Sequence, residues 1–160
     1  MEPRLDYTKI SPDPLKPLMN LEAYVRRCGL ERSLLELVKL RVSQINGCGF
    51  CIDMHWKDAR AAGETEQRLY AVPVWRETPF FTARERAALA WTEAVTEVGR
   101  TGVPDEAYAA ARAEFSESEL VDLTMAVVAI NGWNRIAVSF RTEPGTYQPH
   151  AERRETAGVG

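Results

Sequence analysis

Residues 46–55, NGCGFCIDMH, hold two of the chain's three cysteines and one of its two histidines. On a helix, Cys48, Cys51 and His55 fall at i, i+3 and i+7 and project from one side. Cys51 and His55 are one turn apart, a separation at which side chains touch. Two cysteines at i and i+3 near a helix start come within disulfide reach after a small adjustment. Asn46 and Gly47 put Cys48 at or just before the first turn, where free backbone N–H groups and the positive end of the helix dipole favour a thiolate. An ordinary thiol, with a pKa of about 8.5, is only a few per cent ionised at neutral pH. The thiolate is the nucleophile, so a neighbouring imidazole raises the reactive fraction by taking the proton or by stabilising the anion. The chemistry these types and spacings permit is that of a redox dithiol.

A histidine used this way needs a third group to orient it, and a carboxylate is the commonest choice. Glu36, within LLELVKLRVSQ, lies at the edge of a broad apolar arc. It reads equally as an exposed carboxylate paired with Lys39, three residues on. Two other uses of the cysteine cluster stay open. Free cysteines often pack as small hydrophobes. A metal site is the other, but Cys48 and His55 would be about 10 Å apart along a helix axis. Zinc holds its ligands at about 2.0–2.3 Å, so one straight helix does not easily supply all three. No second C-x-x-C or H-x-x-x-H completes a tetrahedron. The histidine does not directly follow the second cysteine, which excludes a c-type haem. No metal and no cofactor are expected. Cys28, in YVRRCGL at a helix end, reads as a spectator thiol.

The elements that must position these groups read as helices nearly throughout. A short amphipathic stretch covers 14–28 and stops at Gly29, where a C-terminal glycine is expected. Leu34, Leu35, Val38, Val42 and Ile45 share one face of the next helix, and a further helix runs over about 49–62. Another turn or two follows at 64–71, before Pro73 and Pro79 impose an irregular connection. Thr82 with Glu85, and Ser116 with Glu119, form capping boxes that open two later helices. Pro104 stands near the start of a helix between them. The last segment, 120–140, is apolar around much of its circumference, which implies a central position or a subunit interface. Pro144 and Gly145 end it. No run alternates with the period of a surface strand. The expectation is one all-α domain of about six or seven helices over residues 1–147, with a flexible polar tail at 148–160 that includes His150 as a solvated spectator.

Composition narrows the function classes. The chain is 45% apolar and 27% charged with a formal net charge of −3, ordinary for a globular protein. Acidic and basic residues are mixed along its length, so there is no basic stripe for nucleic acid. No signal-peptide pattern opens the chain, and the longest apolar run, 125–130, is far below the ~20 residues of a membrane span. These features point to the cytoplasm, without a membrane or nucleic-acid partner. Three cysteines there do not make a disulfide scaffold, and thioredoxin-like redox folds need strands that are absent. A C-x-x-C here must work from a helical scaffold.

The pattern E-x(11)-C-x-x-C-x-x-x-H, carried by Glu36, Cys48, Cys51 and His55, resembles the signature of AhpD-like alkylhydroperoxidases of the carboxymuconolactone decarboxylase superfamily. The similarity extends over about 15–144, including FTARERAALAWTEAVT and AINGWNRIAVSFR. The resemblance implies an all-α homo-oligomer that reduces a hydroperoxide through a dithiol/disulfide cycle, re-reduced by an unidentified thiol or protein. It implies a Glu36–His55 proton relay, Cys51 as the peroxidatic thiol and Cys48 as its resolving partner, whereas dipole placement alone favours Cys48 as the thiolate. Some relatives carry a second histidine between the cysteines; here Gly49 and Phe50 stand there, and Phe50 suggests an apolar wall. Trp133, Asn134 and Arg135 match a family stretch, with packing as their expected role. The superfamily's decarboxylase branch, whose lactone chemistry does not use a cysteine pair, is the alternative enzyme. A non-catalytic metal-binding or oligomeric scaffold is the other alternative.

Overall fold

The computed structural model describes residues 2–149, and these contain nine α-helices and no strand. They are α1 (Tyr7–Ile10), α2 (Lys16–Val25), α3 (Arg32–Ile45), α4 (Gly49–Ala61), α5 (Glu66–Ala71), α6 (Ala83–Thr96), α7 (Val98–Thr101), α8 (Asp105–Glu114) and α9 (Glu117–Phe140), with 3-10 turns at Asp13–Leu15 and Val72–Glu77. The all-α expectation holds, but the count is higher than six or seven. The additions are single-turn helices too short to show a period: α1, capped by the Asp6 side chain, and α7. His150 and most of the expected tail lie outside the described residues.

Both capping boxes are present, Thr82 with Glu85 and Ser116 with Glu119, each glutamate returning a bond to the cap's backbone N–H. They start α6 and α9 at the expected residues because such boxes depend only on local chain.

α3 is the central helix, packed by α4, α6 and α9. Its middle is buried on all sides, from Leu34 through Leu40 and at Val42 and Ser43. One flank joins Val38 and Val42 to Cys48, Cys51, Trp91, Val127 and Ile130. The other joins Leu37 and Leu40 to Leu69, Val72, Trp75, Phe81 and Leu89. Each such buried side chain contributes about 2 kcal/mol from apolar area removed from water. The single-faced pattern expected for α3 is therefore too narrow. A helix between two cores buries its polar positions too, and Glu36 and Lys39 are 8% and 3% exposed. Lys39 is not the paired partner of Glu36; it donates to Glu22 on α2. α9 covers α3 from one side and leaves Val121, Val128 and Val138 exposed. No helix among the described residues is long and apolar enough to cross a membrane.

Candidate functional site: a buried dithiol beside a glutamate–histidine pair

Asn46 closes α3, Gly47 turns the chain at φ +65°, and Cys48 stands at the N-cap of α4 with extended backbone. A positive φ at this tight corner suits glycine, which has no Cβ to clash. The Cys48 N–H returns to the Ser43 carbonyl at 2.9 Å, fixing the corner against α3. Cys51 follows one turn later, and both sulfurs enter the core shared by α3, α6 and α9. The two cysteines are 1% and 2% exposed.

Their surroundings separate their acidities. The Cys48 thiol is lowered from its usual value near 9 to about 7. The main cause is the Cys51 thiol acting as hydrogen-bond donor to the Cys48 thiolate; burial opposes it. The backbone N–H groups of Cys51 and Phe50 and the Asn134 side chain add to the stabilisation. Cys48 makes no capping bond of ordinary geometry, so these N–H groups act on the charged sulfur as the open end of the helix does on any anion. Cys51 is pushed upward, first by that same bond to Cys48 and then by burial and the Cys48 charge. Of the two thiols, Cys48 is the one held more acidic.

His55, one turn beyond Cys51, is 5% exposed. Its Nδ1 lies 2.8 Å from Glu36 Oε2. Burial would raise the Glu36 pKa, but the hydrogen bond from His55 and the charges of His55, Lys39 and Arg32 outweigh it and hold the carboxylate below its usual range. With Nδ1–H directed at that carboxylate, the neutral ring carries its lone pair on Nε2. Nε2 is buried and has no hydrogen-bond partner. An imidazole oriented by a carboxylate, with its other nitrogen free, is equipped to accept and return a proton.

Glu36, His55 and Asp58 place ligand atoms within 4.8 Å of one another. An ion there would compete with the Glu36–His55 bond and with the bond Asp58 Oδ1 accepts from the Tyr147 hydroxyl at 2.7 Å. The cysteines are not part of that group.

The structure thus brings Cys48 beside Cys51 and Glu36 onto His55, with Phe50 packed against the cysteine-containing core. Cys28 stays apart, its thiol donating to the Val25 carbonyl at 3.1 Å. The packing role expected for Asn134 understates it. Asn134 is 1% exposed, accepts from Asn46 Nδ2 at 3.0 Å, donates to Ser43 Oγ at 3.1 Å, and presents its amide to both cysteines. A lone polar residue on the buried face of an apolar helix was the available signal, since buried amides need partners. Asp58 and Tyr147 were also missed, and Tyr147 could not be placed from a segment without periodicity.

Two surface hollows lie elsewhere, one bounded by Ser33, Ala59 and Glu64 and the other by Trp91, Tyr108, Leu120 and Met125. Neither is lined by the cysteines or His55.

Residues 12–94 match the model of the carboxymuconolactone decarboxylase family. The chain belongs to that family. It is 44% identical over 139 residues to the uncharacterized protein YdfG of Bacillus subtilis, a match spanning 87% of this chain and 95% of that one. The crystal structure of ATU0492 from Agrobacterium tumefaciens, described as of unknown function and as a candidate antioxidant defence protein AhpD, superposes with a TM-score of 0.88. It is 49% identical, and the match covers 91% of this chain and all of that one. The alkyl hydroperoxide reductase AhpD of Bradyrhizobium diazoefficiens is 49% identical over 41 residues, 26% of this chain and 22% of that protein.

Proposed function

We propose that the protein is a thiol-dependent oxidoreductase that reduces an organic hydroperoxide through Cys48 and Cys51. The observation that carries this reading is the Cys48 thiol, lowered to about 7 by its partner thiol, beside a buried Glu36–His55 pair joined at 2.8 Å. The similarity to ATU0492 and to part of a named AhpD supports it.

In the proposed cycle the Cys51 proton passes along its hydrogen bond to Cys48 as the Cys51 sulfur attacks the terminal peroxide oxygen, and His55 Nε2 then takes that proton from Cys48. The O–O bond breaks, Cys51 becomes a sulfenic acid, and the alkoxide leaves as an alcohol with the proton returned by His55. The Cys48 thiolate then attacks the sulfenic sulfur. Hydroxide departs, is protonated to water, and a Cys48–Cys51 disulfide remains. Two electrons from an external dithiol restore the pair by exchange. Glu36 holds the imidazole and offsets its transient positive charge. Re-reduction of the disulfide by an external dithiol suits a reducing compartment such as the cytoplasm. We also propose a homo-oligomer, buried in part through the exposed valines of α9.

Replacing Cys51 with serine tests the assignment. Turnover of an organic hydroperoxide should fall to background, and a Cys51→Ser protein with unchanged turnover refutes the dithiol mechanism.

A further inference from the structure

The redox reading leaves an access problem, because sulfurs 1% and 2% exposed meet neither peroxide nor reductant. At ~100° per residue, Cys51, His55 and Asp58 fall within about 60° of one another on α4. The thiol-bearing side of α4 packs into the core of α3, α6 and α9, and the segment that follows α9 reaches it at Asp58. Parting α3 or α9 from α4 would expose Val38, Val42, Val127 and Ile130, all at most 1% exposed. The segment after α9 is different in kind. None of residues 141–149 is buried.

Four hydrogen bonds to α4 hold that segment. The Gly145 N–H donates to Asp53 Oδ2 at 3.1 Å. Lys57 Nζ donates to the carbonyls of Gly145 and Tyr147 at 3.3 and 3.1 Å. The Tyr147 hydroxyl donates to Asp58 Oδ1 at 2.7 Å. Asp53 and Lys57 are themselves joined at 2.9 Å, which sets both for this task. The Tyr147 phenol is raised by burial, then by Asp58, and also by the charge of Glu36. Asp58 lies within 4.8 Å of the Glu36 and His55 ligand atoms, so the Tyr147 hydroxyl stands at the glutamate–histidine end of the site.

We propose that residues 144–147 are a latched cover over the glutamate–histidine end of the dithiol site, with Tyr147 as the latch on Asp58, and that they lift from α4 to admit oxidant and reductant. The proposal rests on the redox reading for its purpose, though not for its test. Lifting exchanges four protein hydrogen bonds for bonds to water and gives up no apolar core. That is the character of a segment that opens locally well below the free energy of global unfolding.

The test is the rate at which iodoacetamide alkylates Cys48 in the full chain carrying Cys28→Ser, at a pH above the Cys48 titration so that the thiolate fraction is constant. Tyr147→Phe removes the bond to Asp58, and Lys57→Ala releases both carbonyls. Each should raise the rate about tenfold, the size expected for a lost hydrogen bond to a charged group, with cooperative unfolding retained and the melting temperature lowered by only a few degrees. Hydrogen exchange at the Gly145 amide should accelerate in parallel. Rates equal to the parent in both variants overturn the cover. So does a parent rate that climbs steeply with low denaturant, since access would then come from global unfolding. No peroxide is needed, so loss of the cover and loss of the redox mechanism, read from Cys51→Ser turnover, are separate results.

Discussion

Two glutamates sit in the body of this protein, and the contrast between them separates function from framework. Glu93 on α6 accepts from Arg41 Nε at 2.7 Å and Trp75 Nε1 at 3.0 Å through one oxygen, and from Arg76 through the other. Glu36 on α3 meets the Nδ1 of His55. Burial opposes ionisation in both, and partners hold both below the usual carboxylate range. A perturbed acidity alone therefore does not mark a site. The difference is the partner. Arginine keeps its charge at every accessible pH, so the Glu93 cluster is a fixed brace between α3, α6 and the 3-10 turn. Histidine is a side chain that gains or loses a proton near neutrality, and the one Glu36 meets stands one helical turn from Cys51.

Exchanging each carboxylate for its amide should break the likeness in opposite directions. Glu36→Gln keeps the shape but removes the charge that orients and balances His55. Hydroperoxide turnover should fall by about 10²- to 10³-fold, in the range of a lost general acid–base partner. Glu93→Gln leaves the half-buried Arg41 and the exposed Arg76 without their counter-charge and should cost about 1 kcal/mol in denaturant unfolding, with turnover of the folded protein retained. Equal losses of turnover in the two variants would erase the distinction. Both carboxylates are depressed in the folded state, so each contributes stability above the ordinary carboxylate range and loses it as pH falls through its folded value.

A smaller effect sharpens the comparison at Asn134, whose amide donates toward both sulfurs. Asn134→Ala should raise the Cys48 pKa by about one unit, a loss comparable to one hydrogen bond to a charged group, followed by thiolate absorbance near 240 nm. An unchanged titration would return Asn134 to a packing role.

Legibility from sequence followed the range of the interaction. The capping boxes at Thr82 and Ser116, the stop at Asn46–Gly47 and the shared face of Cys51 and His55 depend on neighbours within a turn or two, and all were readable. Glu36 was not. Its wheel position at the edge of an apolar arc fits a surface carboxylate, and the packing of α4 that brings His55 onto it leaves no mark in the pattern of α3 itself. Lys39 was misassigned for the same reason, since i, i+3 spacing does not reveal that α2 offers Glu22. Asn134 and Tyr147 act across separations of about ninety residues, through contacts with α3 and α4 that no periodicity records. Family resemblance linked Glu36 to His55 and helix-dipole placement favoured Cys48 as the thiolate, while the bond between the cysteines that parts their acidities required the folded structure.

The most direct measurement is a pH titration of thiolate absorbance on the reduced protein carrying Cys28→Ser. Cys48 releases its proton at about 7 when folded and near 9 when unfolded, so its contribution to stability is complete above 9 and is lost as pH falls through 7. The account predicts one thiolate appearing with a midpoint near 7 and the second only far above the ordinary thiol range. Two thiols ionising together above pH 8 would contradict it, because the sulfurs would then be neither coupled nor activated.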